Sequence, residues 1–97
     1  MNRIDLIKDN TARVARIILK PKEVTPKHYH SDVIENIVCL SGQIQVFDGV
    51  AEHSQVLFPG QVYEIAPNRE HYLANIYNGQ SEYLLVQKGE YDFVPVG

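Results

Sequence analysis

Cysteine and methionine each occur once in these 97 residues, and tryptophan is absent. A lone cysteine excludes an internal disulfide, so a reducing, cytoplasmic setting is the simplest expectation. No apolar run approaches the roughly 20 residues that a membrane-spanning helix needs, so no membrane partner is expected. The opening MNRIDLIKDN carries charge along its length and lacks an apolar segment, so it does not read as a secretory signal. Lys and Arg total 9 against 12 Asp and Glu, a net charge of -3, and the basic residues nowhere cluster as a nucleic-acid surface requires. Also missing is any stretch of about ten or more residues with a 3.6-residue apolar period, which excludes a substantial helix.

What remains is a chain of short apolar runs and turns. At 44% apolar residues and this length it has the composition of one small globular domain. Residues 1–12 read as a mixed, polar N-terminal arm, and residues 13–97 as the domain. ARVARIILK (12–20), VIENIVCL (33–40), QIQVF (43–47), QVYEIA (61–66), HYLANIY (71–77) and EYLLVQ (82–87) have strand length and composition. Ser41-Gly42, Asp48-Gly49, Pro59-Gly60 and Asn78-Gly79 punctuate them. Asp48-Gly49 and Asn78-Gly79 are hairpin dipeptides, because both residues tolerate the positive φ of a tight primed turn. Seven or eight strands with such spacing predict an all-β barrel or sandwich.

The histidines are distributed unevenly. His28 and His30 stand two apart, so in an extended segment both point to one side. In the next apolar run Glu35 shares a face with Ile37 and Cys39. If that face is the inner one, a carboxylate enters the core and needs a partner or a metal. An H-x-H pair often arises by chance, and Glu35 could instead face solvent, so a further histidine is the test. His53, in the polar AEHSQ stretch, is expected to be exposed or near a strand start. His71 begins a strand with Leu73 on the same face, which places it in the wall or mouth of the same interior.

The order H28-x-H30-x4-E35-x6-G42, followed by G60-x10-H71-x3-N75, resembles the two motifs of the cupin family across nearly the whole chain. The resemblance implies a cupin-like antiparallel β-barrel, a double-sheet jelly roll. It also implies one divalent metal (Mn, Fe, Ni, Zn, Co or Cu) held by His28, His30, Glu35 and His71, and a homodimer. Lys22 stands where the family's pattern has a glycine, Ala66 where it has a proline, and Asn68 where it has a turn glycine.

Such a site supports oxygenase-type or isomerase/lyase-type chemistry on a small organic substrate. The alternative is a non-catalytic ligand-binding or structural barrel with a stabilising metal. Candidate pocket residues beyond the metal set are Arg69, Tyr63, Tyr83, Gln87 and Cys39. Arg69 is placed to reach a substrate carboxylate at the mouth. The two tyrosines offer phenols, Gln87 a polar wall, and Cys39 either a core thiol or a redox group.

Overall fold

Alternation along the strands decides where the interior lies. In Val33–Ser41 the buried positions are Val33, Glu35, Ile37 and Cys39, while Ile34, Asn36 and Val38 lie on the outer face. In Ser81–Gly89 they are Ser81, Tyr83, Leu85 and Gln87. The computed structural model describes residues 1–49 and 53–97. Among them are ten strands: β1 (Asn2–Lys8), β2 (Ala12–Leu19), β3 (His28–Tyr29), β4 (Val33–Ser41), β5 (Ile44–Asp48), β6 (His53–Leu57), β7 (Val62–Ile65), β8 (His71–Asn75), β9 (Ser81–Gly89) and β10 (Val94–Pro95). No helix of the described residues is long and apolar enough to cross a membrane.

The strands form two five-stranded antiparallel sheets, ordered β1-β2-β9-β4-β7 and β10-β3-β8-β5-β6. One core joins them. Ile17, Ile37, Ile65 and Leu85 come from the first sheet, and Ile44, Val46, Leu57 and Leu73 from the second. Only β1 to β2 and β5 to β6 connect neighbours within a sheet, and every other connection crosses to the opposite one. This is the expected double-sheet jelly roll.

The crossings change the meaning of the turn signals. Asn78-Gly79 is not a hairpin: β8 and β9 lie in different sheets, and neither residue has a positive φ. The turn is built by Asn75 instead. Its Nδ2 donates to the carbonyls of Lys20 and Gly79, each at 2.9 Å, and its Oδ1 accepts from Tyr77 N at 3.0 Å and Ser81 Oγ at 2.6 Å. These bonds end β8 at Asn75, short of the expected residue 77. Asp48-Gly49 does open a hairpin, since β5 and β6 are antiparallel neighbours, but not as a two-residue turn. Asp48 belongs to β5 and pairs with His53, leaving only Gly49 at positive φ. Ala51 and Glu52 of the AEHSQ stretch lie outside the described residues, as does Val50. His53 begins β6 and is exposed.

At the Ser41-Gly42 crossing the glycine is required. Its φ is +77°, and an added Cβ would lie 2.1 Å from Ser81 Oγ. The expected N-terminal arm is itself a strand. Residues 2–8 pair with β2 along the edge of the first sheet, with every residue exposed.

Candidate metal centre

Register brings the four sequence-selected donors together from both sheets. Glu35 of β4 stands opposite Gln87 of β9, and His28 of β3 stands opposite His71 of β8. The facing sheets then bring one ligand atom each from His28, His30, Glu35 and His71 to within 4.8 Å of one another. Glu35, at 2% exposure, enters the apolar interior as the alternation of β4 requires.

Each imidazole is aimed by the backbone. His28 Nδ1 lies 2.8 Å from Pro26 O, His71 Nδ1 lies 2.8 Å from Arg69 O, and His30 Nδ1 contacts Asp92 O. A carbonyl accepts only, so in all three rings Nδ1 carries the proton and donates. Neutral rings then turn an Nε2 lone pair inward, the tautomer that metal-ligating histidines adopt. The C-terminal segment braces two of them. The Asp92 carboxylate accepts from Ser31 N at 2.8 Å and Ser31 Oγ at 2.5 Å, and Phe93 stacks on His28 with ring centroids 4.4 Å apart.

Electrostatics shows what the arrangement needs. His30 Nε2 is 2.7 Å from Glu35 Oε1, and His71 Nε2 is 3.1 Å from Glu35 Oε2. Lone pairs facing a carboxylate at these distances repel unless a cation lies among them. Burial favours a neutral carboxyl at Glu35, but the two imidazoles against it, His30 and then His71, outweigh burial and hold the carboxyl well below its ordinary range. Burial also opposes a charge on His30, yet the Glu35 carboxylate raises its pKa. At His28 burial prevails and the pKa is lowered. His71 Nε2 and Gln87 Oε1 are buried with no hydrogen-bond partner. Orphaned buried atoms beside a carboxylate are an unmet requirement that a divalent ion and its water would satisfy. The donor set therefore fits a metal with mixed nitrogen and oxygen ligands.

The donors line a cavity of about 170 Å³, whose remaining wall includes Tyr83, Leu85, Gln87 and Phe93. Gln87 Nε2 donates to Glu35 Oε1 at 2.8 Å, so its amide holds the carboxylate in place. Tyr83 is in the wall, with its phenol pushed to a higher pKa by burial and then by Glu35.

Three candidate residues lie elsewhere. The Arg69 guanidinium does not reach the mouth. Its Nε pairs with Asp48 Oδ1 at 3.3 Å, and only its backbone carbonyl serves the site. The Tyr63 hydroxyl donates to Asp48 Oδ2 at 2.7 Å, and burial together with that carboxylate pushes its pKa up to about 12. Cys39 shares the inner face of β4 but is buried in the apolar core, where burial raises its pKa and disfavours the reactive thiolate. Arg3, Tyr91 and Phe93 are among the wall residues that the sequence did not single out. Arg3 sits in the polar arm, and only the β1–β2 register places it.

The departures at the turns now have geometry. Lys22 adopts φ +65° and Asn68 φ +63°, so both keep the left-handed conformation for which glycine is the easy residue.

Among solved structures, the chain superposes on a conserved protein with a double-stranded β-helix domain from Klebsiella pneumoniae with a TM-score of 0.87. The identity is 16%, covering 99% of this chain and 84% of that one. The cupin domain of an XRE family transcriptional regulator from Enterobacter cloacae gives a TM-score of 0.80 at 21% identity, covering 94% and 96%. Oxalate oxidase gives 0.80 at 18% identity, covering 89% of this chain but 46% of the enzyme. At these identities the likenesses establish the fold alone. No curated protein matches the chain by sequence. The cupin domain family model matches residues 15–87, from the core of β2 through all four donors to Gln87, and the chain belongs to the cupin family.

Proposed function

We propose that the protein is a metal-dependent enzyme acting on a small organic substrate, with one divalent ion held by His28, His30, Glu35 and His71. The observation that carries this reading is the convergence of three backbone-aimed imidazoles and one carboxylate on the wall of a cavity. A site that only stapled the fold would be closed by its ligands, whereas these donors line a cavity. A bound ion would supply Lewis-acid polarisation of a carbonyl or carboxylate, or, if redox-active, a meeting place for dioxygen and substrate. The chain's own residues do the rest. Glu35 and three neutral imidazoles hold the ion, Gln87 fixes the carboxylate, and the apolar wall of Leu85 and Phe93 limits water. Oxygenase-type and isomerase/lyase-type reactions are both within reach of this arrangement, and the structural neighbours include both an oxalate oxidase and a sugar phosphate isomerase.

A second reading has its own support. The regulator's cupin domain matches this chain over nearly the full length of both. A ligand-sensing domain that binds without turnover would use the same cavity. The deciding experiment loads the protein with Fe(II), Mn(II) or Zn(II) and screens small carboxylates and carbonyl compounds. Oxygen consumption and exchange of substrate protons with deuterated solvent are both followed. Turnover in either assay supports the enzyme, and saturable binding without it identifies the sensor.

The same reading includes a homodimer in the cytoplasm. Ile4, Ile7, Ile34, Leu40 and Val62 are exposed large apolar residues of the first sheet. Register with outward-facing Arg16, Val14 and Val38 puts Ile4, Ile7 and Val62 on the outer face beside Ile34. A face of this kind is what a symmetric pair of copies would cover. The buried, unpaired Cys39 is at home in a reducing compartment.

A further inference from the structure

The cavity wall contains one guanidinium, and it comes from the edge strand. Arg3 pairs with Ile17 of β2. Directly opposed residues share a face of the sheet, and Ile17 points into the core. Arg3 is therefore turned toward the interior side and lines the cavity together with His28, His30, Glu35 and His71. Its Nε donates to Asp5 Oδ1 at 2.9 Å. The two terminal nitrogens have no partner among the described residues, and the side chain is 36% exposed. The free edge of the fork is thus available from solvent, in the geometry that suits a carboxylate.

Charge and size narrow the ligand. Glu35 is the only carboxylate in the cavity wall among the described residues. With a divalent ion in place, the ion and Glu35 together carry one positive charge, and Arg3 adds another that its Asp5 partner, outside the wall, offsets in part. A volume of about 170 Å³ corresponds to roughly five or six waters at about 30 Å³ each, enough for a molecule of a few carbons. The wall also has an apolar part, with Ile17, Leu73 and Leu85. We propose that Arg3 is a specificity residue that recognises the anionic end of a small organic acid whose other end faces the four donors. This makes β1 part of the binding site. The proposal rests on the metal reading above for what lies at the inner end.

The test titrates zinc-loaded protein with malonate and with acetate by calorimetry, in the wild type and in Arg3→Gln, Arg3→Lys and Asp5→Asn. Elemental analysis and thermal melts are run on each sample. Malonate carries a carboxylate at each end, and acetate carries only one. Arg3→Gln is expected to weaken malonate about tenfold or more, the scale of a lost charge-assisted contact, and to leave acetate unchanged. Arg3→Lys should recover part of the loss. Asp5→Asn removes the competing carboxylate and should tighten malonate. Equal malonate affinity in the wild type and Arg3→Gln overturns the proposal, as does malonate binding no tighter than acetate in the wild type. If the wild type holds no zinc, the metal reading fails separately. The same titration on metal-free protein then decides Arg3, with a loss in Arg3→Gln supporting the role and absent or unchanged binding refuting it.

Discussion

Gln87 and Glu35 stand opposite one another across the β4–β9 ladder, and the Gln87 amide donates to the Glu35 carboxylate at 2.8 Å. One residue supplies the buried anion and the other limits its rotation, so the negative end of the site is placed by sheet register. Register also pairs His28 with His71, but the three imidazole rings are aimed by carbonyls of irregular segments: Pro26, Arg69 and Asp92. The site is thus rigid at the carboxylate and depends on loops and the C-terminal segment at its imidazoles.

Replacing Glu35 with glutamine keeps the shape and removes the anion. Zinc content per chain, read by elemental analysis after dialysis against a weak chelator, should fall by about tenfold or more, the scale expected for disturbed metal-site ligation. His53→Gln should leave it unchanged, because His53 is exposed at the start of β6. Full metal in the Glu35 variant with loss in the His53 variant would mean the ligands are wrongly chosen.

Acid should strip the metal. Ligating imidazoles must be neutral, and Glu35 raises the pKa of His30 against the effect of burial, so the metal must displace a proton that His30 holds more tightly than a free imidazole does. Affinity should decline as pH falls through about 6.5 and below. Competition against a coloured chelator at a series of pH values measures it, and an affinity independent of pH between about 5 and 8 would contradict the ligand set.

The metal-free fold should also weaken in acid. Glu35 has a folded pKa held below its ordinary 4.5, so its contribution is present above that pH and is lost as pH falls toward the folded value. His28, lowered below 6.5 by burial, acts in the same sense, because the unfolded chain takes up its proton first. His30 opposes them near neutrality. Its folded pKa is raised, so its contribution is complete below 6.5 and is lost as pH rises through the folded value. The net expectation is a melting temperature that drops steeply below about pH 4.5, with a shallower fall in Glu35→Gln. A flat profile down to about pH 3 in the wild type would show that Glu35 is not ionised in the fold.

Lys22 holds φ +65° without the freedom of glycine. Left-handed backbone costs an L-residue about 1–2 kcal/mol, and glycine returns about half of that through its more flexible unfolded chain. Lys22→Gly should therefore stabilise the fold by about 0.5–1 kcal/mol, or a few degrees in Tm. Calorimetric melts check it, and a lowered Tm would mean that the Lys22 side chain makes a compensating contribution.

Sedimentation equilibrium tests the pairing of copies. A dimer should be seen at tens of micromolar, and Val62→Glu on the outer face of the first sheet should dissociate it while leaving the melting cooperative. An 11.1 kDa species in the wild type would overturn the assembly.

Much of this was legible in the chain. Period-2 alternation told that Glu35 shares a face with Ile37 and Cys39. The spacing His28-x-His30 told that two imidazoles point one way, and His71 ahead of Leu73 placed a third beside the core. These are properties of neighbouring residues, and strand geometry fixes them locally. What a strand pairs with is not local. Asn78-Gly79 reads as a hairpin until burial sends β8 and β9 to opposite sheets and Asn75 takes over the turn. Arg69 lies two residues from a donor yet turns its charge to Asp48, while Arg3, remote in the chain, reaches the cavity through β1–β2 register. Asp92 aims a histidine 62 residues away. Sequence by itself determined which side chains face inward. Only the closing of two sheets over one core decided which of them meet, because burial of apolar surface sets the pairing of distant strands and no local spacing encodes it.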